Sequence, residues 1–230
     1  MKKIYLLLLF TSISFAQKMN YAAYSDFLSK HVSFTGNVSY DKIKADQAQL
    51  TTIIQTFEKT SPEKTWEKNE KLAYWINAYN AYTLQLVSNY YPIKTTNEIK
   101  DIYKINFIEY KGIKISLDYV EHEILKSLEE PRYHFVINSA AIGSPILNNE
   151  AIEPATIDRQ MNNAARLFLN DGSKNLITDT TANLSKVFDW YATEFVTVKP
   201  FIEFVNQFSV NKISEKTEIK FNEFNWALNL

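Results

Sequence analysis

Three side chains in the middle of the sequence have the chemistry of a hydrolytic site: His134, Glu121 and Ser139. A histidine can act as general base, a carboxylate can orient it or serve as an acid, and a serine hydroxyl can be a nucleophile. We therefore predict these three as the catalytic residues. Ser139 does not lie in a Gly-x-Ser-x-Gly motif, and a core histidine bonded to the backbone is the alternative role for His134.

Amide side chains are the first group of candidate substrate ligands. Asn77 and Asn80 are three residues apart, so in a helix they share a face, and Asn138 directly precedes Ser139. Amides can polarise a carbonyl, which predicts a substrate-binding role for all three. The alternative is structural, because a buried amide that finds backbone partners ties down a neighbouring loop.

Trp190 and Tyr191 are the aromatic candidates for substrate binding, and Glu194 follows them. Their spacing fits either a groove wall or the core. Metal binding is poorly supported, because the chain has no cysteine, no His-Glu-x-x-His motif and no acidic calcium loop. We predict no metal and no cofactor; a metal site that uses Glu121, His122 and His134 is the alternative.

Helical periodicity and turn signals predict the elements that must position these residues. Apolar residues recur at helical spacing over residues 19–32, 40–57 and 66–91, and Pro92 ends the last of these helices. Alternation around Lys111-Gly112 predicts a β-hairpin over residues 105–117. Asp118 and Glu121 form a capping-box pattern that opens a helix to about Leu128.

The second half of the chain mixes short strands with helices. We predict a strand over residues 134–137, helices over 157–169 and 200–208, a helix capped by Ser185, and a strand in the tail at 217–228. This order favours a helix-rich single α+β domain with a small, mainly antiparallel sheet over regular βαβ alternation.

The first 16 residues have the pattern of a signal peptide. Lys2 and Lys3 precede an apolar run too short to span a membrane, and small residues follow at Ser14 and Ala16. We predict cleavage after Ala16, one domain over residues 17–230, and a periplasmic or secreted protein. Charges interrupt every later apolar run, so the mature chain is predicted to have no membrane span.

Composition excludes several classes of function. The chain has 230 residues, a net charge of −1, no cysteine, and 15 Phe, 14 Tyr and 4 Trp. Zero cysteine excludes disulfide scaffolds and thiol catalysis. A near-neutral charge gives no support to nucleic-acid binding, and the partners are not predicted.

Several motifs in series resemble the DUF547 family, a domain of unknown function. The resemblance runs from about Tyr40 to Asn229 and rests on KLAYWINAYNA (71–81), GIKISL (112–117), VEHEIL (120–125), PRYHF (131–135), NSAAIGSP (138–145), LSKVFDWY (184–191) and WALN (226–229). It implies an uncharacterised molecular function.

One motif departs from the family pattern. Where the family has Asn-Cys-Ala-Ser-x-x-Cys-Pro, this chain has serines at positions 139 and 144. If the first cysteine is the family's nucleophile, this protein has lost it, because a serine needs a stronger base arrangement than a thiol. Joint replacement of both sulfurs suggests that they act as a pair, as a disulfide or a shared metal clamp.

Three functions follow from these observations. The first is an exported protein that is non-catalytic or degenerate, in which the Asn, Glu and His side chains form a buried network. The second is an envelope hydrolase that acts on an amide or ester through a site centred on His134. The third is a carbohydrate- or peptide-binding module that uses exposed aromatics such as Trp66 and Trp190.

Overall fold

The longest helix, α4 (Lys68–Tyr90), is buried without interruption from Leu72 to Leu84. The computed structural model describes residues 18–230, so the predicted signal peptide lies outside the described residues. The side chains of Glu67 and Glu70 form a capping box at the start of α4, and the helix stops before Pro92. The predicted helix over 66–91 is confirmed.

Three shorter helices precede α4: α1 (Ala22–His31), α2 (Tyr40–Ala45) and α3 (Gln47–Lys59). Helices α2 and α3 pack on α4, and α1 packs on α2 and α3. The single helix predicted over 40–57 is divided at Asp46, while its apolar residues Ile43, Leu50, Ile54 and Phe57 are buried as the spacing indicates.

The described strands form two small sheets. Strands β1 (Ile108–Tyr110) and β2 (Ile113–Ile115) make the predicted hairpin, whose turn residues Lys111 and Gly112 both have positive φ angles. The second sheet has the order β3 (Leu176–Ile177), β4 (Thr181–Leu184), β5 (Glu218–Phe221), antiparallel then parallel. The helix-rich α+β fold is confirmed, and the tail strand exists over part of its predicted range.

The helical segment after the hairpin departs from the predicted register. It starts as α5 (Leu117–Tyr119), continues as a π turn (Val120–Leu125) and ends as a 3-10 turn (Lys126–Leu128). The predicted capping box is wrong: the hydroxyl of Ser116 accepts the Tyr119 N–H at 3.1 Å. Serine before the first helical residue provides this cap directly, so Asp118 is left inside the helix.

The predicted strand over 134–137 is also wrong. Residues Pro131–Phe135 form a 3-10 helix whose first turn is capped by the Glu130 carboxylate, with Pro131 at its first position. These are helix-start signals, and they outweigh the β propensity of the aromatic residues. Arg132 then anchors the turn to α6 (Ile157–Leu169), because its guanidinium donates to Glu130 and to Asp158.

The last helices surround an aromatic core. They are α7 (Val187–Trp190), α8 (Ala192–Val198) and α9 (Phe201–Phe208), and Ser185 accepts the Val187 N–H at 3.3 Å. The helices predicted over 157–169 and 200–208 are confirmed in α6 and α9. The C-terminal segment then crosses back, forming bridges from Ala227 to Thr95 and from Leu228 to Ala141.

Candidate functional site

A pocket of about 150 Å³ lies between the π turn, the 3-10 helix of residues 131–135 and the C-terminal segment. Five of the predicted site residues line it: Glu121, His134, Ser139, Trp190 and Tyr191. The other lining residues are Tyr79, Tyr103, Asp118, His122, Ile137, Ser144, Pro145, Val187, Phe224 and Trp226.

His134 lies at the base of this pocket with its side chain only 1% exposed. Its Nε2 is 3.1 Å from Glu194 Oε2, and its Nδ1 is 3.8 Å from Glu121 Oε1 without a hydrogen bond. A carboxylate at neutral pH only accepts, so Nε2 carries the hydrogen of the first contact. The ring of Tyr191 stacks on the imidazole at a centroid distance of 3.7 Å. Three side chains, those of Glu194, Glu121 and Tyr191, therefore surround the imidazole of His134.

Glu121 is placed in the pocket by the π turn, a helix irregularity that is frequent at functional sites. Its Oε1 accepts the Tyr191 hydroxyl at 2.5 Å, and its Oε2 accepts the Tyr79 hydroxyl at 3.2 Å. Burial, together with the Glu121 carboxylate, raises the pKa of both tyrosines above its ordinary value. Both phenols thus remain protonated donors to Glu121.

Glu194, which follows Trp190 and Tyr191 in the sequence, is one of the site residues that the sequence did not predict. Burial alone would raise its pKa, but the hydrogen bond from His134 and the charge of that imidazole, with the Tyr133 hydroxyl and Lys126, hold the pKa below its ordinary value of 4.5. The Tyr133 hydroxyl donates to Oε2 at 3.0 Å, and Lys126 Nζ is 3.8 Å from Oε1.

The lowered pKa of Glu194 predicts a pH-dependent contribution to stability. A carboxylate whose pKa is lower in the folded state stabilises the fold above its unfolded pKa, and loses this effect as the pH falls through its folded pKa. We expect Glu194→Gln to be less stable than wild type at pH 7, and this difference in the free energy of unfolding to become smaller at pH 3. Urea unfolding of both proteins at the two pH values measures this, and an equal difference at both would contradict it.

Ser139 and Ser144 contact each other at the edge of the pocket. Their hydroxyl oxygens are 2.5 Å apart, and Ser144 Oγ also accepts the Ser139 N–H at 3.2 Å. The Tyr103 hydroxyl donates to the Ser139 carbonyl at 2.6 Å, and burial raises its pKa to about 12. Within residues 18–230, no hydrogen bond joins Ser139 to His134.

The contact between the two serines predicts that cysteines at the same positions form a disulfide. Side-chain oxygens at 2.5 Å place the two positions within bonding reach of sulfurs, whose S–S distance is about 2.05 Å. We expect Ser139→Cys/Ser144→Cys to lose both free thiols on mild oxidation, as a thiol assay and intact mass would show. Single Ser139→Cys is the control; two persistent thiols in the double variant would refute the pairing.

Each of the three predicted amides forms a backbone bracket, meaning that its side chain both donates to a backbone carbonyl and accepts a backbone N–H. Asn77 donates to the Ile152 carbonyl at 2.8 Å and accepts the Ile152 N–H at 2.9 Å. Asn80 donates to the Val136 carbonyl at 2.8 Å and accepts the Asn138 N–H at 2.9 Å. Asn138 donates to the Pro145 carbonyl and accepts the Ala140 N–H, both at 2.7 Å. None of the three lines the pocket, and their substrate role stays a prediction.

The outer wall of the pocket is aromatic. Trp190 is 44% exposed, and its ring lies 5.0 Å from that of Phe224 and 5.8 Å from that of Trp226. Trp66, by contrast, is only 6% exposed, which removes it from the exposed aromatics. Phe224 and Trp226 were missed because they lie in the tail that was predicted as a strand over residues 217–228, and its pattern does not mark either residue as part of a site. The WALN motif, which begins at Trp226, is the one signal that could have pointed to them.

The described residues offer neither a cluster of metal ligands nor a membrane-spanning helix. Within residues 18–230, no group of three or more His, Cys, Asp or Glu side chains is arranged to hold a metal ion. Over the same residues, no helix combines the length and the apolar character that crossing a membrane requires.

Comparison with known proteins finds one matching family model. Residues 63–169 match the family model described as "Protein of unknown function, DUF547", which supports the resemblance drawn from the motifs. The matched segment contains α4, the hairpin, Glu121, His134 and the serine pair. Trp190, Tyr191 and Glu194 lie beyond it. No curated protein and no solved structure matches the chain, so the comparisons suggest no activity.

Proposed function

We propose that this protein is an exported, non-catalytic module that binds a small ligand in the pocket lined by Glu121, His134 and Trp190. The observation that carries the proposal is the environment of His134. Each of its ring nitrogens faces a carboxylate, Glu194 on one side and Glu121 on the other. A histidine held in this way does not activate Ser139, whose hydroxyl is bonded to Ser144.

The aromatic wall supports binding. Trp190 keeps 44% of its surface exposed although Phe224 and Trp226 are close enough to cover it. Tryptophan provides a large apolar face at low entropic cost, and it is enriched where proteins bind partners. An open pocket with one aromatic wall and a buried polar base fits a binding site, in which a few polar groups fix the orientation of the ligand.

Tryptophan fluorescence tests the proposal, because Trp190 and Trp226 line the pocket. Titrations use choline, ethanolamine, N-acetylglucosamine and the blocked dipeptide N-acetyl-alanyl-alaninamide. We expect at least one probe to bind, and Trp190→Ala to weaken that binding at least tenfold. Phe34→Ala is the matched control, since Phe34 is 90% exposed and lies outside this pocket. Failure of every probe would overturn the proposal.

A hydrolase is the competing function, because Glu121, His134 and Ser139 do line one pocket. It predicts turnover of p-nitrophenyl acetate or an amino-acid p-nitroanilide by the purified protein. That turnover must disappear in His134→Ala and in Ser139→Ala. Our proposal expects rates equal to buffer for wild type and both variants, so turnover that both substitutions abolish would replace it.

Export is the second part of the proposal, and it rests on the pattern of residues 1–16. Expression of the full chain in a Gram-negative host is expected to deliver the protein to the periplasm. Intact mass and N-terminal sequencing should find Gln17 as the first residue. Replacing Ala16 with Arg, which removes the small residue before the cleavage point, should leave the precursor uncut. Full-length wild-type protein in the cytoplasm would contradict export.

A further inference from the structure

The charged groups in the pocket have one sign apart from two imidazoles. Glu121 and Asp118 supply carboxylates, His122 and His134 supply imidazoles, and the lining residues include no Lys or Arg. Lys126 does not line the pocket, and its ammonium faces Glu194. Apart from these two imidazoles, the charged side chains of the lining are therefore all acidic, and an anionic ligand would meet no Lys or Arg there.

Most hydroxyl groups of the pocket already have partners. Tyr79 and Tyr191 donate to Glu121, Tyr103 donates to the Ser139 carbonyl, and Ser139 and Ser144 bond to each other. A carboxylate offers about four acceptor positions, and Glu121 uses two of them on tyrosines. Glu121 therefore keeps acceptor capacity for a ligand that donates hydrogen bonds or carries positive charge.

Aromatic rings surround this acidic base. Phe224 lies 4.5 Å from Trp226, and Trp226 lies 6.5 Å from Tyr103, each measured between ring centroids. Tyr191 stacks against His122 at the rim, at 6.0 Å. Aromatic faces attract cations through their quadrupole, and rings around an organic ammonium group are a recurrent way of binding it.

From these three features, and on the basis of the binding function proposed above, we infer that the pocket binds a small organic ammonium ion. Glu121 provides the counter-charge, and Trp190, Phe224 and Trp226 provide the aromatic faces. The volume of about 150 Å³ is well below the roughly 300–1,000 Å³ of pockets for drug-sized ligands, which restricts the ligand to a small head group.

Calorimetric titration at pH 8.5 tests the inference with matched probes. Choline and 3,3-dimethyl-1-butanol have nearly the same shape, but only choline is charged. We expect choline or ethanolamine to bind, and the neutral alcohol to bind at least tenfold more weakly than choline if choline is the ligand. Phosphocholine should bind more weakly than choline, because its phosphate would be repelled by the carboxylates of Glu121 and Asp118. Tighter binding of phosphocholine would indicate that the ligand is a phosphorylated or lipid head group, and it would overturn the inference of a free ammonium ion.

Substitutions of single carboxylates identify which side chain provides the negative charge that binds the cation. Glu121→Gln should weaken binding of the cation at least tenfold, whereas Glu123→Gln, an exposed position on the same π turn, should change it less than twofold. Because Glu121 is buried and its replacement can affect folding, Asp118→Asn is the second variant. Its side chain is 42% exposed, and a loss of at least threefold is expected.

The outcomes separate this inference from the proposed function. If N-acetylglucosamine or the blocked dipeptide binds in a Trp190-dependent way and neither cation does, the binding function stands and the inference fails. If the neutral alcohol binds as tightly as choline, or the cation binds equally to wild type and to folded Glu121→Gln and Asp118→Asn, the inference also fails. If no probe binds, both fail.

Discussion

Replacing Phe135 with Ala is expected to lower the free energy of unfolding by about 3–5 kcal/mol, the usual cost of truncating a buried Phe. Phe135 is fully buried, and its ring lies 5.6 Å from those of Phe168 and Phe195, 5.8 Å from that of Phe188 and 6.1 Å from that of Phe204. The substitution leaves a cavity where four aromatic side chains meet. Urea unfolding monitored by circular dichroism measures the loss.

Two further variants complete this experiment. Phe34→Ala removes a ring that is 90% exposed and should change the free energy of unfolding by less than about 0.5 kcal/mol. Phe135→Leu keeps most of the volume, so it remains measurable if the alanine variant does not fold. A loss below 1 kcal/mol in Phe135→Ala would mean that the aromatic cluster is not the core of this half of the protein.

Replacing Asn80 with Ala is expected to destabilise the protein by about 2–4 kcal/mol. Both partners of the amide, the Val136 carbonyl and the Asn138 N–H, would remain buried without it. A buried polar group left unpaired costs about 1–3 kcal/mol, and this substitution creates two. The measurement is again urea unfolding at pH 7.

Asn69→Ala is the matched control, since Asn69 lies on the same helix but is exposed. Its free energy of unfolding should equal that of wild type. Equal stability of Asn80→Ala and Asn69→Ala would refute the bracket. The bracket matters for the site because Val136 and Asn138 flank Ile137, which lines the pocket, and Asn138 leads directly into Ser139.

The serine pair is a direct side-chain contact at the edge of the pocket. Where the family pattern has two cysteines, this chain has two hydroxyls that bond to each other at 2.5 Å. This bond engages the Ser139 hydroxyl with Ser144 rather than with His134.

Elements with strong local signals were predictable from the sequence. Helix α4 was predicted because its apolar residues repeat at helical spacing and Pro92 stops it, and the hairpin because Lys111-Gly112 can adopt the positive φ angles of its turn. Helix α6 and the helix after Pro200 followed from the same logic. These signals are local, since each depends on residues within a few positions of one another.

The residues with polar chemistry were also identifiable from type and neighbours. Glu121, His134, Ser139, Trp190 and Tyr191 were selected from the sequence, and all five line one pocket. Their partners were not identifiable. The contact of His134 with Glu194 joins positions 60 residues apart, and that of Tyr191 with Glu121 joins positions 70 apart. Such contacts leave no periodic trace in a single chain.

Tertiary structure alone decided what these residues do together. It placed Phe224 and Trp226 on the pocket wall by returning the C-terminal segment past Thr95 and Ala141. It made residues 131–135 a 3-10 helix, in which Tyr133, His134 and Phe135 are all buried. In a strand, successive side chains would point to opposite faces. The sequence determined the local elements and the candidate residues through short-range backbone preferences; long-range packing determined that His134 faces two carboxylates.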